Sequence, residues 1–317
     1  MKENNNCSYA IVFPGQGSQY TGMGLELFQK FVSAKQVFET AEQISGLPIK
    51  DVCFYGSQED LMNSSATQPC LLTTSMAIYN VFKEHLSVQP KYLCGHSAGQ
   101  YSALVAAGVL SFADALGLIA VRGLLTSEAS EGGMVAIKDI TYQQAEELCS
   151  DLVTPGGCLV PANWNSPEQI VISGDINSID SAVDYAFENN IKVTPLPVSR
   201  AFHSPLMQEA ANRFTEHLLS VNFSDSVIPI ISDVTAEEVS GGNEWSKLLS
   251  KQIYFPVLWE PSIRYLVRHG IETFVEIGPG NVLTKLIKKI HQDATVFNVN
   301  DLSSLNHTVA QLKSISL

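Results

Sequence analysis

The sequence predicts an α/β fold: a large domain of alternating strands and helices, interrupted by a small α+β insert. Three observations carry this. The short apolar run YAIVF (9–13) is closed at once by Pro14 and Gly15, as expected of a buried strand. Residues 134–198 then read strand, helix, strand, strand, helix, strand. After that segment, strand–helix alternation resumes and runs to TVFNVN.

In chain order, YAIVF is followed by a helical pattern over 23–43. Its apolar stripe is Leu25, Leu27, Phe28, Phe31, Val37 and Phe38. SMAIYNVFKEHL (75–86) is a second helix. PKYLCGHS gives a short apolar run into a Gly–Ser turn, and AGQYSALVAAGVL continues as a helix of small residues. ADALGLIAVRGLLTSEA makes a further helix over about 113–129. Past the glycine pair of EGGMVAI come MVAI, TYQQAEELCSDL, CLVPANW, QIVISG, SIDSAVDYAFENN and KVTPLPV. That βαββαβ order is the split βαβ arrangement of a ferredoxin-like unit, with helices on one face of an antiparallel sheet. SVIPIIS then reads as a strand, WSKLLSKQI and PSIRYLVRHG as helices, and ETFVEIG as a strand closed by Gly278-Pro279-Gly280. A helix and TVFNVN end the pattern. The domain bounds are 1–130 with 199–317 for the large part and 131–198 for the insert.

Composition narrows the function. The chain has 317 residues and a net charge of −13. That charge argues against generic nucleic-acid or anionic-membrane binding. The first apolar run is too short for a leader core or a membrane span. The six cysteines (Cys7, Cys53, Cys70, Cys94, Cys149, Cys158) form no CxxC pair, so neither a metal site nor a disulfide framework is expected. A cytoplasmic protein with free thiols is expected.

The stretch GHSAGQ (95–100) carries the chemistry. A strand running into a tight turn and straight out into a helix is a nucleophile elbow, the α/β-hydrolase-like arrangement. Gly95 and Gly99 leave room beside Ser97, and the helix start aims N–H groups at it. The plain alternative is a Gly-rich connection without chemistry. A serine needs a base. His96 adjoins Ser97 and should point away from its Oγ. His203, in SRAFHSPLM, sits in a loop where a catalytic group can be exposed; a lone histidine is more often structural.

Together the pieces resemble the malonyl-CoA:acyl-carrier-protein transacylase family. That family includes the acyltransferase domains of polyketide synthases and their free-standing, trans-acting relatives. The resemblance runs through VFPGQGSQ (12–19), GHSAGQ (95–100), AVRG (120–123), ANWNSPEQIVISG (162–174), AFHSPLM (201–207), QIYFPVLW (252–259) and VEIGPGNVL (275–283). It implies Ser97 as the acylated nucleophile and His203 as base and then acid. A backbone carbonyl near Gln252 would orient the histidine in place of the usual acid. It implies an oxyanion hole from the backbone N–H groups of Gln16 and Ala98, and Arg122 as a bidentate clamp on the malonyl carboxylate. The alternative for Arg122 is a structural salt bridge.

The implied reaction is ping-pong, from malonyl-CoA to the phosphopantetheine thiol of a holo acyl carrier protein, by a monomer without metal or other cofactor. Phe202 resembles the malonyl-selecting form of the AFHS motif, crowding the place of an α-methyl. Two departures bear on acyl choice. The family usually has a larger aliphatic residue at Ala98 and often a glutamate at Gln100. Carrier docking points to Lys285, Lys288 and Lys289 of KLIKKIH, or to Arg200; the alternative for the lysines is a solvated helix face. Three rivals stand beside this reading: an acyl hydrolase of the same fold with water as acceptor, a non-catalytic carrier-binding module, and a housekeeping role in fatty acid synthesis. The departures in GHSAGQ tilt the choice toward a trans-acting polyketide role.

Overall fold

A computed structural model describes residues 8–315, so Cys7 lies outside the described part. The elements in order are β1 (Tyr9–Phe13), α1 (Leu25–Lys30), α2 (Val32–Ser45), α3 (Ile49–Tyr55), α4 (Ser64–His85), β2 (Tyr92–Gly95), α5 (Gly99–Ala106) and α6 (Phe112–Ser127). There follow β3 (Gly133–Lys138), α7 (Tyr142–Leu152), β4 (Leu159–Ser166), β5 (Gln169–Gly174), α8 (Ile176–Glu188) and β6 (Val193–Pro195). The last group is α9 (Gln208–Leu218), β7 (Ile230–Ile231), β8 (Glu238–Val239), α10 (Gly242–Gln252), α11 (Trp259–Arg268), β9 (Thr273–Ile277), α12 (Val282–Ile290), β10 (Thr295–Val299) and α13 (Leu302–Ile315).

These strands make two sheets. The larger has the order β10-β9-β1-β2-β7-β8, parallel throughout except for β8. Both of its faces are covered, which explains why its strands read as unbroken apolar runs. Ile11, Phe13, Leu93, Val275 and Ile277 join one core cluster; Ala10, Val12, Cys94 and Phe274 join a second on the opposite face. The smaller sheet, β4-β5-β3-β6, is antiparallel. Val135, Ile137, Ile170 and Ile172 pack with residues of α7 and α8. On its other face Met134, Ala136, Ala162 and Val171 meet Leu196, Val198 and Phe202.

Some expected elements differ. The helix over 23–43 is two helices, because Phe31 is extended (φ −122°, ψ 128°) and sets its ring edge-on against His85. The helix after the Gly–Ser turn stops at Ala106, short of 110; Gly108 lies beyond it at φ 75°. SVIPIIS supplies only Ile230–Ile231 to the sheet, since Pro229 has no N–H for the ladder. The helix expected over 75–86 begins at Ser64 and carries Pro69 inside it. Helices α3, α9 and α13 have no counterpart in the sequence reading. Among the described residues no helix is long and apolar enough to cross a membrane, and no group of His, Cys, Asp or Glu is placed to hold a metal ion.

Candidate active site

Strand β2 ends at Gly95 and α5 begins at Gly99, leaving His96, Ser97 and Ala98 to make the turn. Ser97 sits at φ 50°, in the left-handed region that non-glycine residues avoid at a cost of about 1–3 kcal/mol. Both flanking glycines are required sterically. A Cβ on Gly95 would lie 2.3 Å from the Gln100 nitrogen, and one on Gly99 would lie 2.1 Å from the Phe13 oxygen. Phe13 is the register partner of Gly95, so the end of β1 runs directly alongside the elbow. Gly15 then passes so close that a Cβ there would lie 2.3 Å from the His96 oxygen. This brings Gln16 beside Ser97. Among the described residues, the backbone N–H groups of Gln16 and Ala98 have no protein acceptor, and both residues line the same cleft.

His203 comes from the loop that follows the small sheet, 106 positions away, and its Nε2 lies 2.8 Å from Ser97 Oγ. It too is left-handed (φ 57°), and its backbone N–H donates to the Ile253 carbonyl at 3.2 Å. The Nδ1 faces the Gln252 carbonyl at 2.8 Å and the Phe255 carbonyl at 3.1 Å. Two acceptors there place the ring proton on Nδ1 and leave Nε2 as the acceptor for the serine O–H. Burial, followed by the nearby Arg122 charge, pushes the imidazole pKa down to about 3. The ring is therefore neutral at ordinary pH. His96 points away, as expected, with its Nε2 at 2.9 Å from Asn165 Oδ1.

Arg122, on α6, is 3% exposed. It donates from Nη2 to Ser97 Oγ at 3.1 Å and from Nη1 to Gln68 Oε1 at 2.8 Å. Its Nε is buried without a partner. Among the described residues no carboxylate lies within ion-pair distance of it. Its direct partners are therefore neutral, and Gln68 is one that the sequence reading lacked.

Asp233, just past β7, is another such residue. It is 1% exposed. Its Oδ2 accepts the Ser97 backbone N–H at 2.9 Å, and both its oxygens lie 3.0 Å from Gln252 Nε2. The same Nε2 lies 3.0 Å from the Ser97 carbonyl. Asp233 and Gln252 thus grip the peptide groups on both sides of the strained serine. Burial outweighs these hydrogen bonds and raises the Asp233 pKa to about 7.

A cleft of about 270 Å³ opens over Ser97. Its walls come from the loop after β1, the elbow, the β3–β5 face of the small sheet, and Val282, Leu283 and Leu286 of α12. Phe202, half-buried, and Ala98 both line it. Lys285, Lys288 and Lys289 are exposed on α12. Lys289 pairs with Glu168 at 3.4 Å, Lys288 donates to the Gln292 carbonyl at 3.2 Å, and Lys285 has no direct ion pair among the described residues but a longer-range attraction to the buried Glu276. Arg200 is half-buried and donates to the Ser127 and Ser199 carbonyls. Chemically, the cleft joins a hydroxyl with a neutral base, a pair of free backbone donors and a buried cation. That set suits acyl transfer to and from an oxygen nucleophile, with a recognised anionic group on the acyl chain.

The comparisons agree with this chemistry. The Acyl transferase domain family matches residues 10–309. The chain is 41% identical over 308 residues to a malonyl CoA-acyl carrier protein transacylase of Bacillus subtilis, covering 96% of this chain and 97% of that protein. The malonyl CoA-acyl carrier protein transacylase of Coxiella burnetii superposes with a TM-score of 0.94 at 33% identity, covering 98% and 99% of the two chains. A malonyl-transacylase solved in complex with its type II PKS acyl-carrier protein superposes at 0.92 and 33%, covering 96% and 99%. The chain belongs to the acyl transferase domain family.

Proposed function

We propose that this acyl transferase moves a malonyl group from coenzyme A to the phosphopantetheine thiol of an acyl carrier protein, through an ester on Ser97. The observation that carries the reading is the buried guanidinium of Arg122. It lies 3.1 Å from Ser97 Oγ, has no carboxylate within ion-pair distance among the described residues, where Asp233 acts on it only at longer range, and keeps an unsatisfied Nε. A buried cation without a direct ion pair is stabilised further by a ligand that supplies the anion. The free carboxylate of a malonyl thioester is such an anion.

In the first half-reaction His203 Nε2 takes the Ser97 proton as Oγ bonds to the thioester carbon. Negative charge on the carbonyl oxygen is met by the Gln16 and Ala98 N–H groups. The C–S bond breaks, and the coenzyme A sulfur leaves with the proton from His203. The carrier thiol then gives its proton to His203 and bonds to the ester carbon; the C–Oγ bond breaks, and His203 returns the proton to Ser97 Oγ. The Gln252 carbonyl holds the imidazole tautomer in both directions. Phe202 would restrict space for an α-substituent, while Ala98 would relax it. Lys285 is the docking cation best supported, being exposed and free of a direct ion pair among the described residues. The large part (1–130 with 199–317) is read as α/β-hydrolase-like and 131–198 as a ferredoxin-like insert. The antiparallel order β4-β5-β3-β6, with both helices on one face, supports the second description.

Transfer tests the reading. Malonyl-loaded enzyme, freed of coenzyme A, is incubated with holo carrier protein or with buffer alone. Rapid gain of malonyl mass by the carrier and a slow loss in buffer are expected. Loss in buffer as fast as to the carrier would make the protein a hydrolase instead. Running carriers from fatty acid and polyketide synthesis side by side identifies the pathway served.

A further inference from the structure

Asp233 is a buried carboxylate that the acyl-transfer steps leave unused. It sits in the turn after β7, at the C-terminal edge of the large sheet, where open α/β sheets assemble their sites. Its position is unusually well determined. The backbone N–H of Asp233 faces Gln100 Oε1 at 3.3 Å, and its carbonyl accepts the Leu258 N–H at 2.7 Å. The side chain accepts from Ser97 and from Gln252, and it donates to nothing. Those two partners flank the base. Ser97 Oγ meets His203 Nε2, and the Gln252 carbonyl meets His203 Nδ1.

Resting on the reading of Ser97 as the acylated residue, we propose that Asp233 is a positioning residue: its ionised carboxylate ties the serine turn to Gln252 and so sets the serine–histidine alignment. An ionised carboxylate offers acceptors only, and all the side-chain contacts here are N–H donors. Oδ2 accepts from both Ser97 and Gln252, so the proton goes to Oδ1; a donor then faces the Gln252 amide donor, and the clamp loosens on the Gln252 side. A displacement of about 1 Å in such an arrangement costs on the order of 10²-fold in rate. The carboxylate's elevated pKa of about 7 puts this loosening in an accessible range. Of the ionisable groups around it, Arg122 on α6 favours the ionised form. Tyr101 on α5 and Cys94 on β2 are held neutral there by burial. His203 stays neutral until about pH 3. Activity should therefore fall as pH drops through about 7, on a limb that belongs to Asp233.

The test measures the pre-steady-state rate of malonyl-enzyme formation from pH 5 to 9, with KM for malonyl-CoA, in wild type, Asp233→Asn and Asp233→Ala. The expected wild-type rate falls toward low pH with a midpoint near 7. In Asp233→Asn that limb is absent. Asp233→Ala is expected to lose about 10- to 100-fold in rate with KM within twofold, because Asp233 touches no substrate. A limb that survives in Asp233→Asn, or a wild-type rate in a folded Asp233→Ala, overturns the proposal. If the alanine variant does not fold, the asparagine profile alone decides. A wild type that forms no malonyl adduct at all would instead overturn the assignment of Ser97.

Discussion

Replacing Arg122 with alanine removes the cation from the cleft and should convert a dicarboxylate-selective site into an indifferent one. In the free enzyme the guanidinium holds Gln68 Oε1 at 2.8 Å and Ser97 Oγ at 3.1 Å. A malonyl carboxylate gripped by two of its N–H groups forms two charge-assisted hydrogen bonds, worth about 1.5–3 kcal/mol each. Their joint loss is about 3–6 kcal/mol, and every 1.36 kcal/mol is tenfold, so kcat/KM for malonyl-CoA should fall roughly 10²- to 10⁴-fold. The substitution has other effects. Gln68 Oε1 is left unpaired, Ser97 Oγ loses a donor, and His203 loses a nearby positive charge that lowers its pKa. None of these depends on the acyl group, so they cancel in a ratio. The assay is kcat/KM for malonyl-CoA and for acetyl-CoA, in wild type and variant. The malonyl-to-acetyl ratio should drop by at least about 10²-fold. A ratio unchanged within threefold, with both substrates impaired alike, would refute a carboxylate clamp and return Arg122 to a structural role.

Phe202→Ala should raise the methylmalonyl-to-malonyl preference by about tenfold, the order expected from relieving one methyl clash of ~1–3 kcal/mol; competition between the two coenzyme A esters checks it. Gly99→Ala should destabilise the fold by about 3 kcal/mol, because its Cβ would lie 2.1 Å from the Phe13 oxygen; urea denaturation measures this, and a loss below about 1 kcal/mol would contradict the steric account. Burial lowers the His203 pKa, so the unfolded chain binds that proton first as pH falls. Stability contributed by the neutral ring is then fully present above about pH 6.5 and is lost as pH drops toward 3. His203→Gln should narrow the stability gap between pH 7 and pH 5 relative to wild type, read by thermal unfolding.

The parts of the site legible in the sequence are those built from local motif geometry. Glycines on either side of Ser97 announce a turn that only glycine tolerates, and the structure shows both would-be Cβ atoms striking backbone. The apolar strands were legible because both sheet faces are buried. Arg122 is legible only through the family resemblance carried by AVRG (120–123). Asp233 was not legible. It follows a two-residue strand, and its partners lie 136 and 19 positions away, so no local pattern marks it. A carboxylate at the C-terminal end of an apolar run was the one available signal. Gln68 was hidden in the polar, Pro69-bearing half of α4, where helical periodicity is weak. The break at Phe31 is a tertiary effect: the ring's contact with His85 overrides a continuous helical pattern.

The most direct test of the central claim is the intact mass of the protein after brief mixing with malonyl-CoA, followed by peptide mapping of the adduct, with Ser97→Ala in parallel. The account predicts one malonyl group per chain, bound as an ester on the peptide containing Ser97, and no adduct on the alanine variant. An adduct that persists in Ser97→Ala, or that maps to any other residue, would contradict it.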